Sequence, residues 1–346
     1  MKKLITFFVA IVLVIGNVAG CGSKDAKDSS DKISVVTTIF PEYDWVMNVL
    51  GDKKDNAEVT MLLDNGVDLH SYQPTAADIL KISTCDLFIY VGGESDEWVE
   101  SALETAANKD MVVINLLETL GDSVKEEEVV EGMQGHDHDH EHEHEEGEEH
   151  EHEHEEGEEH EHEHEHEHEY DEHVWLSLRS SAVIVDKIAQ SLSKIDADNA
   201  KTYKDNASAY NKKLDDLDKK FSDVVAGAKI KTILFGDRFP FRYFADDYNL
   251  TYYAAFVGCS AETEASFETI TFLAQKVDEL SLKAVLTIEG KDHRIADTII
   301  SNTKNKDQKV LTMDSMQATT SKDVQNGTTY LSVMEKNFDV LKEALK

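Results

Sequence analysis

A stretch from Gly135 to Tyr170 reads GHDHDHEHEHEEGEEHEHEHEEGEEHEHEHEHEHEY and holds 13 of the chain's 16 histidines. It has almost nothing apolar, so it cannot bury a core and is expected to be a mobile loop. Any folded framework must come from the segments on either side, brought together around this insert. The decamer EHEHEEGEEH runs twice in tandem, at 141–150 and 151–160. So short a polar repeat is low complexity, not a solenoid unit. Its alternation creates chance matches to a zinc-protease pattern, as at His150, Glu151 and His154, but a catalytic helix needs an apolar face and none is present. Imidazole is a good ligand for zinc, copper and nickel, and a carboxylate beside each ring attracts cations. The tract therefore reads as a metal-collecting loop; the plainer reading is a solubilising insert.

Outside the tract only His70, His173 and His293 remain. A lone histidine is ordinarily a surface or core residue. Three of them in a chain that also carries a His-rich collector are the first candidates for an ordered metal site. Charge points the same way. The net charge is −36; 19 acids lie between Asp137 and Glu169, and the rest of the chain still carries −17. An acidic surface of that size repels nucleic acid and suits a cationic ligand.

Residues 1–21 read as a targeting segment. Lys2 and Lys3 precede an apolar run, Leu4 to Ile15, too short for a convincing spanning helix. The run leads into Val18, Ala19, Gly20 and Cys21, a bacterial lipobox that predicts cleavage before Cys21 and lipidation of its thiol. The polar residues 22–32 then form a flexible tether outside the cytoplasmic membrane. Cys85 and Cys259 fall in opposite halves of the chain and are expected to be unpaired thiols, Cys85 in the core.

Between these features the chain alternates strands and helices. Strands are predicted at Ile33–Ile39, Glu58–Leu63, Leu87–Val91 and Met111–Leu116. After the tract they recur at Lys231–Phe235, Thr251–Val257, Ala284–Ile288 and Val310–Met313. Helical spacing fills the intervals, which indicates parallel βαβ units. Between the two series, residues 203, 207, 210, 214, 217, 221 and 224 are Tyr, Ala, Tyr, Leu, Leu, Phe and Val, a continuous apolar stripe. A helix of about thirty residues would run roughly 45 Å. The fold class expected is α/β: two similar lobes with parallel sheets, residues 33–185 (with the loop 135–170) and 228–346, joined by a long linking helix at 186–227. Ligands of such sheets bind beyond the carboxyl ends of the strands, so a metal site is expected in the cleft between lobes. His70, His173 and His293 all fall at loop or helix-start positions. Asp237, after the strand TILF, is the expected carboxylate partner, with Glu289 and Asp292 as competitors.

The segments VVTTIFPEYDWV, DLHSYQPTAADI, CDLFIYVGG, DEHVWLS and RYFADDYNL together resemble the zinc/manganese solute-binding lipoproteins of bacterial ABC importers, the ZnuA/TroA-like family. The resemblance covers about 33–345, with the tract in the place of that family's His-rich loop. It implies two lobes, a rigid linking helix and a metal in the cleft, with no chemistry performed. It carries the first two ligands onto His70 and His173. The third falls in Phe235-Gly236-Asp237-Arg238, where Asp237 is the nearest match, and the last in EGKDHR, where His293 stands. Arg238 beside Asp237 could instead mark a salt bridge. Three imidazoles and one carboxylate favour Zn²⁺ over Mn²⁺. The function this implies is capture of Zn²⁺ outside the cell by a monomer, anchored through Cys21, that delivers the ion to an ABC permease and its ATPase. The alternatives are a manganese importer and a metal-stabilised surface adhesin. A zinc hydrolase is disfavoured because no base or nucleophile motif accompanies Glu289.

Overall fold

The computed structural model describes residues 32–134, 169–260, 264–290 and 292–346. The targeting segment, Cys21, the tether 22–31 and all 13 tract histidines lie outside the described residues. Lobe one holds β1 (Ile33–Thr37), α1 (Phe40–Leu50), β2 (Ala57–Met61), α2 (Ala76–Thr84), β3 (Leu87–Tyr90), α3 (Trp98–Glu104), β4 (Val112–Asn115) and α4 (Leu116–Leu120). Two long helices follow, α5 (Leu178–Ile195) and α6 (Ala200–Gly227). Lobe two holds β5 (Thr232–Phe239), α7 (Arg242–Tyr248), β6 (Thr251–Val257), α8 (Phe267–Leu280), β7 (Ala284–Thr287), α9 (Arg294–Asn302), β8 (Lys309–Thr312), α10 (Ser321–Gln325) and α11 (Tyr330–Ala344).

The sheets have the same winding, β2-β1-β3-β4 and β6-β5-β7-β8. All pairs are parallel, with Val35 beside both Val59 and Leu87 in lobe one, and Leu234 beside Tyr253 in lobe two. Strands covered on both faces need continuous apolar runs, and ISVVT, LFIY and AVLT supply them. In β5 the register slips between Phe235 and Arg238, a bulge that falls on Gly236-Asp237. Gly236 is required there: a Cβ would lie 2.6 Å from the Ala296 Cα of α9. No described helix is long and apolar enough to cross a membrane.

The long linking helix is α6; the expected range 186–227 also takes in the end of α5. The chain turns at residues 196–199, where the Asp196 carboxylate accepts from Asn199 Nδ2 (2.7 Å) and from the Tyr203 hydroxyl (2.7 Å). The backbone of the turn is closed separately, by Asn199 N donating to Asp196 O (3.3 Å). Along α6 the stripe is Tyr203, Ala207, Tyr210, Leu214, Leu217, Phe221 and Val225, all buried; the last position is Val225, not Val224. At about 1.5 Å per residue its 28 residues span roughly 42 Å. Its first half grips lobe one, with Asn206 Nδ2 donating to Val49 O (2.9 Å) and the Tyr210 hydroxyl to Asp44 (3.3 Å). Its second half enters lobe two, where Phe221 meets Phe244, Tyr248 and Phe338 at ring distances of 5.0–5.4 Å. One apolar cluster runs through both lobes.

The lobes are also tied directly. Trp45 of α1 meets Tyr330 of α11 edge-on at 5.2 Å, Tyr330 donates its hydroxyl to Trp175 O (2.6 Å), and Trp175 Nε1 donates to Ser315 O (2.8 Å). Both ends of the tract rise from fixed backbone: Gln134 N bonds Ala255 O, Glu127 N bonds Glu169 O and Asp171 N bonds Lys125 O, each at 2.9 Å.

Two outcomes are expected. Phe221→Ala empties a position shared by α6, α7 and α11 and should cost about 3–5 kcal/mol in denaturant unfolding. Glu42, fully buried, accepts from Thr38 N, Thr38 Oγ1 and Ile39 N. Burial, then the nearby Asp96, pushes its carboxyl from 4.5 up to about 8. The fold therefore binds this proton more tightly than the unfolded chain, so stability falls as pH rises from about 4.5 to about 8. Glu42→Gln, which has no charge to bury, should flatten that fall when melting temperature is measured across the window.

Candidate metal centre

His70 lies in the long connection after β2. Asp68 sets its backbone by accepting from His70 N (3.1 Å). The ring is then aimed from its far side: Nδ1 lies 2.8 Å from Ser95 Oγ, in the connection after β3, and 3.4 Å from Glu172 Oε2. Ser95 N in turn donates to Glu172 Oε1 (2.9 Å). His173 arrives from the opposite end of the tract, two residues before Trp175. The Asp171 carboxylate accepts from His173 N (2.8 Å) and sits 3.1 Å from its Nδ1. The Asp171 carbonyl is held by the Tyr243 hydroxyl of α7 (2.8 Å).

With both Nδ1 atoms engaged, both Nε2 atoms face the same point, 3.2 Å apart. A hydrogen on Nδ1 of each ring leaves two lone pairs converging there, which is how metal-binding histidines are usually oriented. A third group joins them. The ligand atoms of His70, His173 and Cys259 all lie within 4.8 Å of one another, the one such group of three or more found among the described residues. Cys259 follows β6 by two residues, and its backbone N–H donates to Glu127 Oε1 (3.1 Å). Gly258 lets this turn lie against the imidazole: a Cβ there would be 3.0 Å from Phe239 O and 3.1 Å from His173 Cε1.

Burial alone would lower the pKa of His173, but the Asp171 carboxylate, supported by Glu172, outweighs it and holds the ring above its ordinary value. Burial, then Asp171, Glu127 and Glu172, pushes the Cys259 thiol well up. The surroundings thus favour positive charge and disfavour an uncompensated anion. Two cavities meet here. One, of about 630 Å³, is lined by Asp68, His70, Asp237, Arg238 and Cys259; the other, of about 310 Å³, by His70, Glu94, Glu127, Glu169, Glu172 and Cys259.

The remaining candidates are not in that group of three. Asp237 lines the larger cavity, but its carboxylate accepts from the backbone N–H of Arg238 (2.9 Å) and of Ile288 (3.2 Å). The β5 bulge turns it toward β7. Arg238, not Asp237, faces lobe one, where it pairs with Asp68. The ion pair of Arg238 is with Asp68, not with the adjacent Asp237 that the alternative reading had in view. His293 stands at the start of α9, makes no side-chain capping bond there, and is outside the group of three. Glu289 is occupied by Ser315 N (2.6 Å), Ser315 Oγ (2.7 Å) and Gln317 N (3.0 Å), and Asp292 by Arg294 Nε (2.6 Å). Cys259 was read from the sequence only as an unpaired thiol. The available signal was its place: Gly-Cys-Ser directly beyond the carboxyl end of a predicted parallel strand.

The family described as "ZnuA: Zinc-uptake complex component A periplasmic" matches residues 35–344. The chain is 29% identical to the "Zinc-binding lipoprotein AdcA" of Streptococcus pneumoniae serotype 4, across 99% of this chain and 61% of that protein. It therefore spans about three-fifths of the length of the AdcA relatives. It is 31% identical to the "High-affinity zinc uptake system protein ZnuA" of Bacillus subtilis, across 95% of this chain and 93% of that one. Among solved structures, the Zn(II)-bound ZnuA-like domain of S. pneumoniae AdcA superposes with a TM-score of 0.66 at 27% identity, over 91% of this chain and 99% of that one. The metal-dependent lipoprotein YcdH of B. subtilis superposes with a TM-score of 0.68 at 25% identity, also over 91% and 99%. With the matched region running through both lobes, the chain belongs to the ZnuA family.

Proposed function

We propose that this protein captures Zn²⁺ outside the cytoplasmic membrane, anchored through a lipid on Cys21, and delivers it to an ABC permease with its ATPase. The observation that carries this reading is the pair of Nε2 atoms, 3.2 Å apart and drawn from sequence positions 103 residues apart. Tetrahedral zinc with metal–nitrogen bonds of 2.0–2.1 Å holds two nitrogens about 3.4 Å apart, so the pair is close to the required spacing before any ion arrives. Preorganisation of this kind removes most of the ordering cost of binding. Nitrogen donors also favour zinc over manganese. The relatives named for zinc binding and zinc uptake support the same assignment.

The tract has a natural place in this scheme. Near its end, Glu169 lines the acidic cavity that reaches His70. Ions held weakly among tract imidazoles can pass along Glu169, Glu127 and Glu172 toward the pair, drawn by their negative charge. The protein binds and releases its cargo and is not an enzyme.

Zinc titration of the full chain, of a variant lacking 135–168 and of His70→Ala in that background tests the scheme. The tract-deleted protein is expected to keep one tight site, and His70→Ala to lose it. Retention of tight binding after His70→Ala would place the site elsewhere. Asp171→Asn keeps the shape beside His173 but removes the charge that holds its ring. It should weaken the tight site by about 10- to 100-fold, read by competition with a chelator.

A further inference from the structure

We propose that the Cys259 sulfur is the third ligand of the cleft metal, so that lobe two contributes a thiolate rather than an imidazole or a carboxylate. This rests on the zinc reading above and specifies its donor set. For tetrahedral zinc, a metal–sulfur bond of 2.3 Å sets the nitrogen–sulfur spacing at about 3.6 Å. The three ligand atoms already lie within 4.8 Å of one another, so closure needs a shift of little more than about 1 Å.

The acidic groups of lobe two near the cleft are committed. Asp237 is held by two backbone amides, Glu289 by Ser315 and Gln317, and Asp292 by Arg294. Arg238 is a cation and cannot ligate one. Cys259, by contrast, borders both cavities that reach His70 and makes no disulfide. Its backbone is fixed by Glu127, and Gly258 permits the close approach to His173. Cys85 has no such place: it is fully buried, with its sulfur 3.3 Å from Met111 Sδ.

On binding, the S–H bond breaks, the proton passes to solvent and a sulfur–metal bond forms. No electron is transferred. A thiolate biases the centre toward Zn²⁺ and softer ions and against Mn²⁺. It also ties retention of the metal to the reduced state of one sulfur, since an oxidised or alkylated cysteine cannot ligate.

Co²⁺ reports the donor directly. A cobalt–thiolate bond gives an intense near-ultraviolet charge-transfer band that imidazole and carboxylate ligands do not. The tract contains no cysteine, so it cannot produce one. The full-length protein titrated with Co²⁺ is expected to show this band, and Zn²⁺ to abolish it by displacement. Cys259→Ser, which retains Cys21 and Cys85, should lack the band and bind Zn²⁺ more than about tenfold more weakly, the least expected from losing even an outer partner of a ligand. In parallel, Zn²⁺ should protect Cys259 of the unaltered protein from alkylation, mapped by peptide mass spectrometry; this readout needs no variant to fold. Tight, His70-dependent zinc binding with no thiolate band and no protection would overturn the sulfur ligand and leave the zinc reading standing. Absence of any tight site beyond the tract would overturn both.

Discussion

The cleft depends on apolar packing that does not respect the boundary between the lobes. Helix α6 buries one stripe from Tyr203 to Val225, its beginning against α1 and its end among Phe244, Tyr248 and Phe338. Trp45, Tyr330 and Trp175 close a second bridge, with hydrogen bonds at 2.6 and 2.8 Å fixing the polar tips of rings that are otherwise buried. A small shift between the lobes would have to break aromatic packing and leave buried donors unpaired, each a costly event. The relative position of the two sheets is thereby fixed, and so is the point where loops from both converge.

That rigidity matters because the groups around the imidazole pair oppose one another. Asp171 and Glu172 are each about 2% exposed, and both lie against the histidines. Burying carboxylates is unfavourable unless positive charge or hydrogen bonds compensate. Part of the compensation is local: Ser95 donates to Glu172, and the Asp171 carboxylate accepts from His173 N. Arg238 supplies a cation across the cleft, but it is paired with Asp68. The place that remains short of positive charge lies between the Nε2 atoms. A divalent cation is the species that this arrangement of dipoles and carboxylates accommodates best.

The fold was legible because β-branched and apolar runs such as ISVVT and AVLT have few other uses, and because the α6 stripe repeats at steps of four and three. The contacts that fix the turn before it, from Asp196 to Asn199 and Tyr203, were not, since they join side chains in three dimensions. His70 and His173 stood out once the tract was subtracted, and the structure brings their rings together. His293 stood out for the same reason and falls elsewhere, at the head of α9. Residue type told the three apart no better than it could. Asp237 shows a different limit: it lines the cavity with His70, but a one-residue bulge sets its carboxylate against the Arg238 and Ile288 amides, and no periodicity in the sequence announces that. Cys259 was set aside on the question of pairing. Its position beyond a strand's carboxyl end was the signal that it lies near His70 and His173.

The fixed stem beneath the tract has a consequence for the protein's history. Gln134 and Glu169 are pinned by backbone hydrogen bonds of their own, and neither bond involves a tract side chain. Neither anchor draws on the number of tandem decamers between them. Slippage that adds or removes one changes how many imidazoles the chain carries, while the pair beneath keeps its spacing.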